Sequence, residues 1–190
     1  MMKAKLETQI TLALAQQSEL PDFRRNLQGA FAIAVIETFG DHDYGAIPSD
    51  REVQESFDAP GAVVYHLLHE GKKVGGVVLR IDSETHRNSL DLFFVSPEQH
   101  NHGIGVAAWN SVEAQYPDTV AWETITPYFE KRNINFYVNK CGFHIVEFFN
   151  QHHSAPHMHR PEFENNLPLP EDVGFFRFEK IMKYGGNVYE

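Results

Sequence analysis

Residues Leu90 to Gly105 read LDLFFVSPEQHNHGIG and run into VAAWNSVEAQY. An apolar, aromatic run ends at Ser96-Pro97, because proline cannot continue a paired strand. A short polar turn follows. Gly103 and Gly105 then open a segment with Ile104, Ala108 and Val112 on one helical stripe. Strand, turn and helix in that order gather free backbone N–H groups at the positive end of a helix. Such an end is a seat for a phosphate-bearing ligand.

Upstream, Gln9–Ala15 reads as a strand. Pro21 to Thr38 carries Phe23, Leu27, Ala30, Phe31, Ala34 and Val35 at helical spacing. Gly40 to Gly61 is rich in turn formers, with a short helix expected at Arg51–Phe57. Ala62–His69 and Lys73–Ile81 are apolar and β-branched and flank Glu70-Gly71-Lys72, which predicts a hairpin. Downstream, Val120–Thr124 reads as a strand. Thr126-Pro127 is a helix start, and Gly142 its stop. Phe143–Phe149 and Gly174–Met182 are the last strands, joined by a polar connection, Pro156 to Asp172, that holds four prolines. The order β-α-β-β-β-α-β-α-β-β predicts a mixed α/β fold around a central sheet. No repeat or low-complexity linker divides the chain, so residues 1–190 are expected to form one domain with its core over about 8–183.

The formal net charge is −10. That sign argues against a nucleic-acid partner and mildly favours cationic substrates such as amines. The single cysteine, Cys141, excludes an internal disulfide and fits a reducing compartment. The first residues, MMKAKLETQITLALAQQ, hold no long apolar run, so no signal peptide is expected. No segment approaches the roughly 20 apolar residues of a membrane span. The cytosol is the expected compartment, and no membrane partner is expected.

Two other phosphate motifs compete for the glycine turn. Gly103-x-Gly105-x-x-Ala108 fits a loose dinucleotide fingerprint, with Glu123 at the distance of a ribose-binding acid. That fingerprint needs its first glycine directly after the strand, whereas Ser96 to His102 intervene here and include Pro97. The unit also follows a hairpin rather than opening a doubly wound sheet. A Walker-type loop is excluded, because no Gly-Lys-Ser/Thr occurs. An ordinary helix start with glycines in a tight loop is the bland alternative.

The pattern Val95-x-Pro97-x-x-His100-x-x-Gly103-x-Gly105 resembles the coenzyme A loop of the GNAT-type N-acetyltransferase superfamily. The second half of that family's signature is also present, as Asn133, the pair Phe136-Tyr137, Gly142-Phe143 and the strand HIVEFF. The resemblance covers about residues 8 to 183. It implies a central, mostly antiparallel sheet of six to seven strands flanked by helices. It also implies acetyl-coenzyme A as cosubstrate, with no metal, and direct acetyl transfer to a primary amine. The acceptor would be a small molecule or a peptide, and a homodimer is compatible with the chain. Two departures stand out. His100, beside Gln99, takes the place of the family's Arg or Gln. Tyr137 precedes Gly142 by five residues where four is the common spacing. One extra residue turns a helix by about 100°, so a bulge or a rotated tyrosine is expected.

Under this resemblance the turn from Gln99 through His100, Asn101, His102, Gly103 and Ile104 to Gly105 would hold the pyrophosphate, chiefly by backbone N–H groups. The strand Phe93–Val95 would diverge from Val120–Thr124, and the pantetheine arm would lie in the gap. Main-chain groups at Phe94 and Val95 would bind the thioester and steady the oxyanion. Asn133 would contact the arm. Tyr137 would donate a proton to the departing thiolate. The base is open between Asp91 and Glu123. Strand alternation puts Asp91 on one face with Phe93 and Val95.

Other features carry less. His152, His153, His157 and His159, with Glu162 and Glu164, have ligand-like spacing. No cysteine joins them, and Pro156 and Pro161 break any helix that would align them, so a solvated loop is expected, and the resemblance implies that this connection borders the acceptor site. Cys141 sits at a helix C-terminus, where the dipole raises a thiol's pKa, and it reads as a packing residue. Phe39, Tyr44, Phe57 and Tyr128, with Asp41, Asp43 and Glu55, are candidates for an acceptor pocket. Two rivals come from other classes: a non-catalytic acyl-coenzyme A binding or sensing module on the same fold, and a metal-dependent protein built on the histidine loop.

Overall fold

The computed structural model describes residues 8–40, 45–99, 103–153 and 174–182. In chain order the elements are β1 (Thr11–Leu14), α1 (Leu20–Phe39), α2 (Asp50–Asp58), β2 (Ala62–His69), β3 (Lys72–Arg80) and β4 (Arg87–Val95). There follow α3 (Ile104–Gln115), β5 (Ala121–Pro127), α4 (Lys131–Asn135), β6 (His144–Phe149) and β7 (Phe175–Ile181). The seven strands form one sheet in the order β1-β2-β3-β4-β5-β7-β6. Every neighbouring pair is antiparallel except β4 with β5.

Local chemistry sets several of these elements. Ser49 caps α2 and shares a capping box with Glu52. Glu70 and Gly71 both adopt positive φ, 50° and 77°, the geometry of a two-residue hairpin turn between β2 and β3. Alternation then sends successive side chains to opposite faces. On one face Leu67, Val77, Leu79 and Leu90 pack with Ile104, Ala108, Trp109 and Val112 of α3. On the other, Val64, Val78 and Phe94 pack with Phe23 and Leu27 of α1 and Val53 of α2. Trp109 and Trp122, fully buried, meet edge to face at 5.3 Å and fix α3 to β5.

Three local features differ from the alternation and spacing expected. Val78 pairs with Leu92 and Leu79 with Leu90, so Asp91 is the extra residue of a β-bulge. The bulge breaks the expected common face: Phe93 and Val95 pack on the α3 side, while Asp91 joins Arg80. Second, Thr126-Pro127 does not start a helix. β7 extends the ladder along β5 as far as Pro127, opposite Phe175, and the helix begins at Lys131. Proline is tolerated there because it ends the strand. Third, the residue added before Gly142 is absorbed as a π-type turn over Phe136–Lys140, closed by the Cys141 N–H on the Phe136 carbonyl at 3.0 Å.

Candidate active site

The parallel pair β4 and β5 is registered only from Arg87 opposite Ala121 to Leu90 opposite Thr124. The Thr124 hydroxyl donates to the Leu90 carbonyl at 2.9 Å and marks the last joined position. Beyond it β5 continues along β7, and among the described residues no strand lies beside the outer edge of β4 from Asp91 to Phe94. A cavity of about 690 Å³ occupies this fork. β4 contributes Phe93, Phe94 and Val95, and α1 contributes Ala30, Phe31 and Ile33. The turn after β4 contributes Pro97 and Gln99, and the start of α3 contributes Gly103 to Val106. Glu130, Arg132, Asn133, Asn135, Phe136 and Lys140 close the far wall.

At one end of this cavity lies the positive end of α3. The first bond within the helix runs from the Ala107 N–H to the Gly103 carbonyl at 3.1 Å. The amides of Ile104, Gly105 and Val106 therefore have no partner inside the helix. Gly103 holds φ +75°, and a Cβ built there would meet nothing within 4 Å. Glycine is favoured at this position by backbone conformation rather than by space. Gly105 is constrained by contact instead: a Cβ would come within 3.1 Å of the Phe136 ring, which stacks on Phe93 at 5.5 Å. The Gln99 N–H is already committed to the Ser96 carbonyl at 2.9 Å. His100, Asn101 and His102 lie outside the described residues.

A fork between two parallel strands, open onto a glycine-led helix start, is the arrangement implied by the two halves of the sequence signature. The acetyltransferase (GNAT) family model matches residues 22–143, which span that fork from α1 to the start of β6. The chain belongs to the GNAT acetyltransferase family. It is an acyltransferase. A Bacillus subtilis (strain 168) protein, "Uncharacterized protein YrkN", is 69% identical over 182 residues, which is 96% of this chain and 98% of that one. Among solved structures, the ribosomal-protein-S18-alanine N-acetyltransferase from Escherichia coli superposes with a TM-score of 0.65 at 14% identity, over 95% of this chain and 99% of that one. A GNAT family acetyltransferase from Elizabethkingia anophelis with acetyl-CoA bound gives 0.61 at 14% identity, over 91% and 98%. At such identities these two structures show a shared fold.

Within the acyltransferase, the residues singled out from sequence separate into two groups. Phe94, Val95, Gln99, Gly103, Ile104, Gly105 and Asn133 all line the cavity. Tyr137, Asp91 and Glu123 do not. Tyr137 is 6% exposed, among Phe136, Phe143 and Phe178, and its hydroxyl lies near the side chains of Thr124 and Thr126 at the base of the fork. Burial pushes its pKa well up, so it stays a protonated hydroxyl. Asp91 bonds Arg80 at 2.6 Å, and burial, opposed by that arginine, raises its pKa. Glu123 pairs with Arg87 at 3.0 Å and Arg177 at 3.6 Å. Arg87 also reaches Glu179, and Arg177 reaches Glu147 at 2.9 Å, so these groups form one ion-pair network.

Glu130 was missed by sequence reading. It is 8% exposed, lines the cavity and follows the strand end that the sequence mistakes for a helix start. Burial raises its pKa, partly offset by Arg132 and reinforced by Glu37. Cys141 is buried and its thiol is pushed up to about 12, with burial rather than the helix dipole as the largest cause.

His153 bonds Glu147 at 2.8 Å and stacks on Phe149, while His157, His159, Glu162 and Glu164 lie outside the described residues. Among the described residues no group of three His, Cys, Asp or Glu side chains is placed to hold a metal, and no helix is long and apolar enough to cross a membrane. The proposed acceptor aromatics are dispersed: Phe57 packs on Phe23, Phe39 on Phe129, and Tyr128 is exposed. Glu55 pairs with Arg51, and Asp41, Asp43 and Tyr44 lie outside the described residues.

Proposed function

We propose that this single domain is a cytosolic N-acetyltransferase that moves an acetyl group from acetyl-coenzyme A directly to a primary amine. The observation that carries the reading is the fork. One cavity joins a helix start, whose Ile104, Gly105 and Val106 amides have no partner among the described residues, to the edge of β4 from Asp91 to Phe94, which no described strand adjoins. The first feature suits a pyrophosphate and the second an extended amide-bearing arm. In this reading the amides of Ile104, Gly105 and Val106, with the adjoining turn through His100, Asn101 and His102, grip the phosphates. Asn133 faces the arm. The main chain at Phe94 and Val95 orients the thioester and steadies negative charge on its oxygen.

Tyr137 is the proposed acid. Its hydroxyl carries a proton at neutral pH, the form a donor requires. Its hydroxyl lies beside Thr124, where the strands part.

Calorimetry with acetyl-coenzyme A and a free-thiol assay across a panel of amines test the function. Saturable binding and amine-dependent thiol release are expected. Absence of binding, or binding without thiol release from any amine, would overturn it.

A further inference from the structure

We infer that Glu130 is the catalytic base that binds the incoming ammonium group and takes its proton, a step that rests on the acetyltransferase function proposed above. Glu130 is the one acid among the described residues that line the cavity. It shares that cavity with Phe93, Phe94 and Val95, where the thioester is proposed to lie. The residue is 8% exposed, and its carboxylate, open to the cavity rather than sealed in the core, makes no hydrogen bond or ion pair among the described residues. A carboxylate set in a cavity wall with no protein donor on it keeps its acceptor oxygens available to a cationic ligand in that cavity. A capping role does not explain it, because Glu130 precedes α4 without any side-chain bond to the helix amides. The acids considered first are occupied: Asp91 by Arg80, and Glu123 by Arg87 and Arg177.

The wall around Glu130 touches the end of α1. Arg132 reaches Glu37 of α1 at 3.0 Å, and Phe129 meets Phe39 edge to face at 4.8 Å. These contacts pin the turn before α4 against the end of α1. They also engage Arg132 elsewhere, so its charge only partly offsets the burial of Glu130. The charged and titratable groups that face or influence the carboxyl are Arg132 and Lys140 in the cavity wall, Glu37 from α1, and Tyr137 behind the fork.

The step balances as follows. The Glu130 carboxylate accepts one proton from R–NH3+, giving R–NH2 and a neutral carboxyl. The nitrogen lone pair forms the C–N bond to the acetyl carbon, and the C–S bond breaks with its electron pair going to sulfur. Sulfur gains a proton from Tyr137, and the nitrogen's surplus proton restores that hydroxyl. Glu130 then releases its proton to solvent. The products are the amide, the free thiol and one proton.

The test compares wild type, Glu130→Gln and Glu130→Asp. Thiol release is followed with a polyamine, an amino-acid amide and a short peptide as acceptors, and with water where no amine is added. Glu130→Gln is expected to lower thiol release by about a hundredfold or more. Its affinity for acetyl-coenzyme A should be retained. The acidic limb of the wild-type pH–rate profile should lie above the ordinary glutamate range and vanish in the glutamine variant. Glu130→Asp should recover part of the rate together with the limb. Wild-type rate and an unaltered limb in Glu130→Gln would overturn the assignment, as would thiol release by the wild type to neither amine nor water. Loss of acetyl-coenzyme A binding in both variants would mark a structural residue instead. A wild-type protein that fails to bind acetyl-coenzyme A would remove the function itself, whereas full turnover in Glu130→Gln would remove only the base.

Discussion

Glu123 and Glu130 lie on one short segment, seven residues apart, and meet opposite surroundings. Glu123 is on the paired part of the sheet, where β4, β5, β7 and β6 stand side by side, and Arg87 and Arg177 share it. Glu130 is past the point where β5 has lost β4, in a cavity wall without a bonding partner among the described residues. The same side chain is thus neutralised where the sheet is closed and left available where it opens. The difference teaches where to look for chemistry in this chain: not at the acids with the most conspicuous partners, but at the acid that the fork exposes to a cavity while the fold keeps it from bulk water.

The contrast breaks most directly in turnover. A larger rate loss in Glu123→Gln than in Glu130→Gln would reverse it; a loss of about a hundredfold or more is expected at Glu130. Next in size is Tyr137→Phe, for which turnover should fall by roughly tenfold to a hundredfold with acetyl-coenzyme A affinity held. An unaltered rate would reduce that tyrosine to packing among Phe136, Phe143 and Phe178. Gly103→Val comes third. A β-branched residue at φ +75° is strained by about 1–2 kcal/mol, so acetyl-coenzyme A should bind roughly tenfold more weakly. Isothermal titration reads the effect, and equal affinity would argue against the helix start as the phosphate seat. The smallest change concerns stability. Glu123→Gln should cost less than about 1 kcal/mol in a denaturant melt, as expected for exposed ion pairs, and the cost should shrink in high salt.

A pH titration of stability sharpens the same contrast. Burial raises the folded-state pKa of Glu130 above that of the unfolded chain. The folded state therefore binds the proton more tightly, and this contribution to stability is fully present below the unfolded pKa. It is lost as pH rises through the folded pKa. Glu130→Gln removes that loss, so the variant should melt at or above the wild-type temperature at neutral pH. A marked fall in melting temperature there would mean that the carboxylate holds the fold together. Stability given up at a site that gains reactivity is a familiar exchange in enzymes.

Much of this was legible in the chain. VSP before a polar turn marks a strand end, and Gly103 and Gly105 mark the helix start, because both rest on local rules that tertiary contacts do not override. The hairpin at Glu70-Gly71 and the stripe of α3 followed the same logic. The candidate base was not legible, for two physical reasons. The bulge at Asp91 resets alternation, and nothing in DLFF announces an extra residue, so the common face expected for Asp91, Phe93 and Val95 is broken. Thr126-Pro127 satisfies every local rule for a helix start, yet pairing with β7 carries the strand through Pro127. That misreading would place Glu130 on the first turn of a solvated helix, where an acid attracts no attention. The extra residue between Tyr137 and Gly142 was visible as a count, but its absorption in a π-type turn depends on packing against Phe143 and Phe178.

The chain's two tryptophans touch each other at the seam between α3 and β5. Trp109 rides on the helix whose first turn borders the cavity, and no indole elsewhere dilutes its signal. Native emission should therefore be blue-shifted and should report on how that helix is seated. The wild-type protein, without any label, supplies its own optical gauge for occupancy of the fork.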